Sequence, residues 1–300
     1  MQSLSLKACA KINLGLAILG RRADGYHELR TIYQTISLAD RLEVRLDPGA
    51  RRVVLETSGF EVPAGRENLA VRAAEAMLQE LGLRRRVLIS LRKRIPPGGG
   101  LGGASSDAAA VLRAVVHLSG RKVPRHRLLH LAADLGSDVP FFLLGGRALG
   151  LGRGEEVYPL AEPPRQTVVV LFPGEGIGTA EAYRLLRAPR LTAVRARPTI
   201  ELFCGVAAED GAFPLANDFE RLAFRRFPEL ARAKRFLQRA GATAASLSGS
   251  GSALIGLFSD PAKARRAARQ LRGPGSRVFL ARTVSRREFQ AALPLAERSP

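Results

Sequence analysis

Apolar and polar residues alternate with a period of two through residues 3–9, 30–37, 42–46 and 53–57, which predicts four extended segments at the front of the chain. The period then lengthens. Asn68 precedes a run with Leu69, Ala73, Ala76 and Leu81 on one face, and Gly82 follows it: a capped helix with a glycine stop. Alternation returns over residues 87–95 and leads into a glycine-rich loop. Beyond the loop a helix is predicted to about residue 118, with Leu112, Val115 and Val116 inward and Gly120 at its end. A further helix over 125–135 sets Leu128, Leu131 and Leu135 at core spacing and stops at Gly136. The proline-rich stretch 159–164 is the best candidate boundary. After it, residues 167–172 read as a buried strand, and helices start near Thr179, Glu220, Pro228 and Pro261. Strands at 244–247 and 253–258 flank a second glycine cluster. Strands and helices mix without a regular strand–helix–strand repeat, so the fold class is α+β.

The loop is the chemically loudest segment. Five of the six residues from Gly98 to Gly103 lack a Cβ, which lets a backbone approach a ligand closely and take positive φ cheaply. Ser105, Ser106 and Asp107 follow as cap and first-turn residues of an alanine-rich helix. Such a loop aims several N–H groups and a helix dipole at one point, which makes a phosphate site. It is not a P-loop, because Ala104 stands where that motif needs its lysine. It fits the dinucleotide fingerprint only through Gly98, Gly100 and Gly103. No acidic residue lies about 20 positions on, where a ribose partner belongs. A flexible linker is a poor fit, since periodic apolar segments flank it on both sides. Valine at Gly100 or Gly102 is expected to weaken nucleotide binding while leaving the fold largely intact.

Composition narrows the remaining classes. The chain has 300 residues, 46% of them hydrophobic, with 47 basic and 27 acidic residues and a net charge of +20. No apolar run is long enough to span a bilayer, and the N-terminus lacks the pattern of a signal peptide. The two cysteines, Cys9 and Cys204, make no disulfide framework, so a reduced cytoplasmic protein is expected. The charge invites a nucleic-acid reading, the main non-enzyme rival. Against it, the basic runs are short and scattered, there is no Trp, and no aromatics interleave with them as a stacking platform requires. Only six of the basic residues are lysine, a bias that is compositional rather than site-built. His126, His130 and Asp134 share a helix face but lack the glutamate of a metalloprotease motif, so they read as a solvated face and no metal site is assigned.

Two buried-looking charges stand out. Asp138 precedes the apolar run Val139 to Leu144, and a carboxylate at such an edge needs a partner. Lys11 lies between apolar neighbours and needs one too. On the residues alone they fit an ordinary salt bridge as well as a catalytic pair.

The loop from Pro96 to Ala110, the segment Ala10 to Leu16 and the segment Ser246 to Ala253 together resemble the three motifs of the GHMP kinases, in the right order. Within that superfamily, segments 24–29, 136–142 and 217–220 resemble the members that act on a cytidyl diphosphate acceptor. The resemblance runs from about Leu6 to Phe258. It implies two domains, 1–158 (like domain 2 of ribosomal protein S5) and 159–300 (ferredoxin-like), with the active site in the cleft between them. It implies ATP and Mg²⁺, and transfer to the 2-hydroxyl of a cytidyl-diphosphate-linked methylerythritol in non-mevalonate isoprenoid synthesis. Pro96, Pro97, Gly98, Gly99, Gly100, Leu101, Gly102, Gly103, Ala104, Ser105 and Ser106 would cradle the triphosphate, with Lys93 and Asn68 on the adenosine side. One of the two serines would cap the helix. Asp138 would be the base and Lys11 its charge partner. Asn13 and His27 would bond the acceptor's base or sugar, Tyr26 and Tyr183 would stack on cytosine, and Thr179 would join them. For Tyr183 the alternative is a plain core aromatic. Ser248 and Gly249 would close a glycine turn beside the acceptor. Pro97, Ala104 and Ser252 depart mildly from the family pattern. The rival within the class is a homoserine, mevalonate or sugar kinase, for which a cytosine-stacking Tyr26 has no purpose. No pattern specifies an oligomeric state.

Overall fold

The computed structural model describes residues 2–50, 52–186 and 217–292. Its first two strands are long: β1 (Gln2–Arg21) and β2 (His27–Pro48) form an antiparallel pair. Alternation alone predicts three shorter strands here, at residues 3–9, 30–37 and 42–46. The segments fuse because the stretch from Ala10 to Leu16 also alternates: Ala10, Ile12, Leu14 and Leu16 are buried in apolar cores, and Lys11 and Asn13 project to the other face. The register slips between Cys9 and Lys11 and again between Asn13 and Leu16. Such bulges bend a strand and re-aim its side chains.

On the other edge of β2 lie β4 (Arg85–Lys93) and β5 (Arg147–Leu151); β3 (Arg52–Gly59) runs parallel to β4, and β6 (Glu156–Pro159) pairs with β5. The pattern missed β5 and β6, where Arg147, Gly150 and a four-residue length hide the period. Helices α1 (Leu69–Glu80) and α3 (Arg125–Leu135) follow the predicted bounds closely, and α2 (Gly103–Ser119) ends where expected. They bury Met77, Leu78, Leu112 and Val115 against Val44 and Ile89 of the sheet. Each such side chain contributes about 1.5–3 kcal/mol when fully removed from water. His126, His130 and Asp134 are exposed on α3, as a solvated face requires.

The second sheet runs β10 (Arg277–Arg282), β7 (Thr167–Phe172), β9 (Leu254–Phe258), β8 (Ala244–Leu247), with every pair antiparallel. Helices Glu220–Arg226, Pro228–Arg239 and Pro261–Gln270, together with α5 (Thr179–Leu186), complete this half. In chain order the strands stack 4-1-3-2, the ferredoxin-like arrangement. Strand β10 escaped the sequence reading because it is a half-exposed edge strand with arginine at both ends.

A third apolar cluster joins the sheets, with Ile12, Leu14, Ile32 and Ile36 from one against Val168, Val170, Ile255 and Leu257 from the other. The chain then crosses back: Val284 N donates to Thr35 O at 2.9 Å, and Phe289 of the helix Arg286–Ala291 enters the first core. The architecture is thus an α+β fold of two sheet-based halves. Among the described residues no helix is long and apolar enough to cross a membrane. Cys9 is half-buried, and burial pushes its thiol up to about 11; Cys204 lies outside the described residues.

Candidate active site

A cleft of 910 Å³ opens between the halves, lined by the loop from Pro96 to Ser105, by Lys11 and Asn13, by Tyr26 and His27, by Asp138, and by Tyr183, Gly249 and Ser250. Helix α2 starts earlier than expected. Gly102, at φ 68° and without a side-chain hydrogen bond, is its N-cap, and neither Ser105 nor Ser106 caps it. The first-turn N–H groups therefore carry no side-chain acceptor from the cap and present a ready anion site.

The second glycine cluster supports this loop. Ser252 N and Ala253 N donate to the carbonyls of Gly98 and Gly99 at 3.2 and 3.1 Å, and Ser248 Oγ donates to Gly100 O at 3.0 Å. Asn217 Nδ2 in turn donates to Leu247 O and Gly249 O at 2.9 and 2.8 Å. Asp218 takes Ile18 N at 2.7 Å, and Glu220 takes Lys234 Nζ. Segment 217–220 is therefore a brace for the site.

Lys11 and Asp138 meet. Nζ lies 3.3 Å from Asp138 Oδ2, with the lysine side chain nearly buried and the carboxylate 29% exposed to the cleft. The turn before α4 (Phe141–Leu144) carries Asp138, and burial of Val139, Phe141 and Phe142 anchors that turn. Tyr33 OH donates to Asp138 Oδ1 at 3.0 Å. Burial, then the Asp138 charge, holds this phenol far above its ordinary range, so it keeps its proton and donates. Sequence reasoning missed Tyr33. Its one signal was a tyrosine on the buried face of a strand, whose hydroxyl needs a partner.

At the far end of the cleft Tyr183 stacks on His27 with ring centroids 4.8 Å apart, and its edge meets Phe219 at 4.9 Å. Burial, with help from Arg21, holds the His27 ring below its ordinary range and favours the neutral form. Tyr26 is 53% exposed, and the Arg153 guanidinium lies 4.6 Å from its ring centroid.

The model of the GHMP kinases N terminal domain matches residues 68–146, and that of the GHMP kinases C terminal domain matches residues 204–277. The 4-diphosphocytidyl-2-C-methyl-D-erythritol kinase of Solibacter usitatus is 49% identical over 85% of this chain and 81% of its own. That of Geobacillus thermodenitrificans is 38% identical over 95% and 98%. The crystal structure of a 4-(cytidine 5'-diphospho)-2C-methyl-D-erythritol kinase superposes with a TM-score of 0.74 at 43% identity, covering 93% of this chain and 99% of that one. The chain belongs to the 4-diphosphocytidyl-2-C-methyl-D-erythritol kinases. A homoserine kinase from Cytophaga hutchinsonii shares the fold, with a TM-score of 0.69 at 20% identity.

As a GHMP kinase the protein uses ATP, and several expected contacts need correction. Ser106 does not face the cleft: its hydroxyl is buried and donates to Cys9 O at 2.7 Å, because α2 starts at Gly103 and that phase sets Ser106 on the buried face of the helix. Ser105 does line the cleft, and a Cβ built on Gly136 would lie 4.0 Å from its Oγ, beside the Asp138 turn. Asn68 is a helix cap. It accepts from Ala70 N at 2.9 Å and donates to Pro63 O at 2.8 Å, and it does not line the cleft. Asn13 uses its amide on the protein, taking Lys11 Nζ at 2.6 Å and giving to Thr31 Oγ1 at 2.6 Å, so it positions Lys11. Ser248 is fully buried and holds the loop, whereas Gly249 lines the cleft. Tyr183 lines the cleft with Tyr26 and stacks on His27. The Thr179 side chain lies outside the described residues.

Lys93 reaches the cleft wall, but its ammonium is buried between two carboxylates, Asp40 at 2.5 Å and Asp107 at 2.7 Å. Asp40 also takes Arg94 N and Ile95 N, so the cluster fixes both the entry to the glycine loop and the helix after it. Two carboxylates share one ammonium. Burial raises the Asp107 carboxyl to about 8, with Asp40 adding to the effect and Lys93 opposing it. The unfolded chain releases that proton near pH 4. The folded state holds it longer, so stability falls as pH rises from about 4 to about 8 and levels off above. Asp107→Asn keeps the shape and removes the titration. Urea midpoints at pH 6 and pH 9 should therefore move in the variant's favour at the higher pH. A parent–variant difference that ignores pH would show that Asp107 is ionised throughout.

Proposed function

We propose that this kinase transfers the γ-phosphoryl group of ATP to the 2-hydroxyl of 4-diphosphocytidyl-2-C-methyl-D-erythritol, with Asp138 as base and Lys11 as its charge partner. The contact of Lys11 with Asp138, within one cleft with the glycine loop, carries the reading. Asp138 Oδ2 takes the hydroxyl proton, the freed oxygen attacks the γ-phosphorus, and the bond to the β-phosphate oxygen breaks to release ADP. Tyr33 and Lys11 hold the carboxylate from two sides, and Asn13 fixes the ammonium so that it offsets charge on the transferring group. Residues 1–158 supply the loop, the base and the lysine in this reading, and 159–300 supply Tyr183 and the glycine turn.

Mg²⁺ fits this site as a companion of the triphosphate. Among the described residues no group of three His, Cys, Asp or Glu side chains forms a protein cage, and this ion usually needs few protein ligands beside phosphates and water. Ser105, on the cleft wall beside the Asp138 turn, would hold it. The ion would neutralise charge on the β- and γ-phosphates.

Tyr26, His27 and Tyr183 form the acceptor end, so turnover should require the cytidyl group. Losing each aromatic contact to the base should cost about 1–3 kcal/mol. ATP turnover against the cytidyl compound, bare methylerythritol phosphate, homoserine and mevalonate tests this. Equal use of the bare phosphate would sink the acceptor assignment.

A further inference from the structure

Residues 94–102 join the end of β4 to the start of α2. Gly98, Gly99, Gly100 and Gly102 lie among them, and glycine loses more chain freedom on ordering than any other residue. A loop left free would have to be ordered at the expense of its ligand's affinity. This one is tied down at both ends. At the entry, fully buried Asp40 on β2 accepts Arg94 N at 2.5 Å and Ile95 N at 2.9 Å. Those N–H groups lie past the β4 ladders, and Pro96 and Pro97 offer none. At the exit, Leu101 O accepts from the Lys11 backbone N–H at 3.0 Å.

Lys93 joins the two ends. Its ammonium donates to Asp40 Oδ2 at 2.5 Å and to Asp107 Oδ2, on α2, at 2.7 Å. The fit is close: a Cβ on Gly103, the first residue of α2, would lie 3.2 Å from Nζ and 3.0 Å from Ile95 Cγ2. Lys93 is buried, and two of its three N–H donors are spent on these carboxylates. That suits a strut beneath the loop better than a contact to the nucleoside.

We propose that Asp40, acting through Lys93 and Asp107, is a positioning residue for the triphosphate of ATP. The three side chains clasp the ends of the loop and fix its shape before ATP arrives. The assignment rests on the glycine loop as the triphosphate site. A loop that holds its binding shape only part of the time weakens the apparent affinity by that fraction, and leaves the chemistry of bound ATP unchanged. Loss of the clasp therefore belongs in the ATP KM and not in kcat.

Asp40→Asn keeps an oxygen for Arg94 N and Ile95 N but loses the carboxylate that holds Lys93 from the strand side, and Lys93 stays paired with Asp107. Asp107→Leu keeps the branching of the side chain and leaves Lys93 paired with Asp40, so charge stays balanced in each variant. In both, the ATP KM should rise about tenfold, the size of one charge-assisted hydrogen bond, with kcat and the acceptor KM within about twofold of the parent. Inorganic tripolyphosphate, as an inhibitor competing with ATP, should weaken in step, and adenosine by less than about twofold. Asp107→Asn retains an oxygen for Lys93 Nζ and should bring the ATP KM back near the parent value. An unchanged ATP KM in Asp40→Asn or in Asp107→Leu would overturn the proposal, and Asp107→Leu carries the test alone where Asp40→Asn does not fold. Adenosine weakened as much as tripolyphosphate would make Lys93 a nucleoside contact and would overturn it too. So would an Asp107→Asn enzyme as impaired as Asp107→Leu. Ala104→Glu sets a carboxylate on the exposed cleft face of the first turn of α2. Tripolyphosphate that binds this variant as it binds the parent would instead fault the loop as the triphosphate site, which keeps the two failures apart.

Discussion

Asp138→Asn is expected to lower kcat by roughly 10²–10⁴-fold, the usual worth of a positioned base. The substitution keeps the size of the side chain and an oxygen for Tyr33 OH, so the 3.0 Å contact at Oδ1 can persist while the basic oxygen at Oδ2 is lost. Lys11→Met should fall by a similar factor, since it removes the only ammonium in contact with Asp138 among the described residues. In the proposed mechanism both residues act on one transition state. The double variant should therefore be far less impaired than the product of the two single losses. ATP affinity should change little in Asp138→Asn, because removing a carboxylate near a triphosphate relieves repulsion. Rapid-quench single-turnover measurements isolate the chemical step from product release. Chemistry within a few-fold of the parent would reduce the pair to a salt bridge at the cleft wall.

Gly100→Val is expected to destabilise the whole protein, not just its nucleotide site. Gly100 has φ +73°, and a Cβ there would come within 1.9 Å of the Ser248 carbonyl oxygen. The left-handed backbone costs a side chain about 1–2 kcal/mol, and overpacking adds about 1–3 kcal/mol. Urea unfolding should show a midpoint lowered to match, together with weaker ATP binding. Gly102→Val meets Phe142 at 2.8 Å and Lys11 Cγ at 3.0 Å, so it should disturb Lys11 as well. The geometry thus revises the expectation, drawn from the sequence, that valine in this loop spares the fold. A Gly100→Val protein as stable as the parent would separate the loop from the second glycine cluster.

How much the sequence revealed depended on whether the information was local. Helix α3, strand β7 and the starts of the later helices lay where period, proline and glycine placed them, because caps and stops act over a few residues. The same held for Lys11, Asp138 and the glycine loop, which a contiguous motif announces. Residues whose role depends on distant partners were harder to read. Asn13 had a polar side chain in a motif, but its bonds to Lys11 and Thr31 depend on the β1–β2 register. Ser106 was chosen for its hydroxyl, and the helix phase turned it toward Cys9. Asn68 was assigned correctly as a cap, and that duty occupies the amide that the adenosine reading required. The local signal of Tyr33 was only a buried hydroxyl and that of Asp107 only a place in the first turn of a helix, and the roles of both depend on partners at least 14 positions away. Strands β5, β6 and β10 were lost for a similar reason: neighbouring strands stabilise them more than their own alternation does.

Hybrid kinases that join the front of one family member to the back of another will meet a difficulty at the glycine turn. The carbonyls of Gly98, Gly99 and Gly100 are met by Ser252, Ala253 and Ser248, so the contour of the loop is written in two places far apart in the chain. Segments 96–106 and 246–253 then behave as one exchangeable part. A transplant that moves acceptor preference should carry residues 24–29 and 179–186 and leave that pair intact. Donors chosen by overall identity will assemble less well than donors matched at those few seam positions.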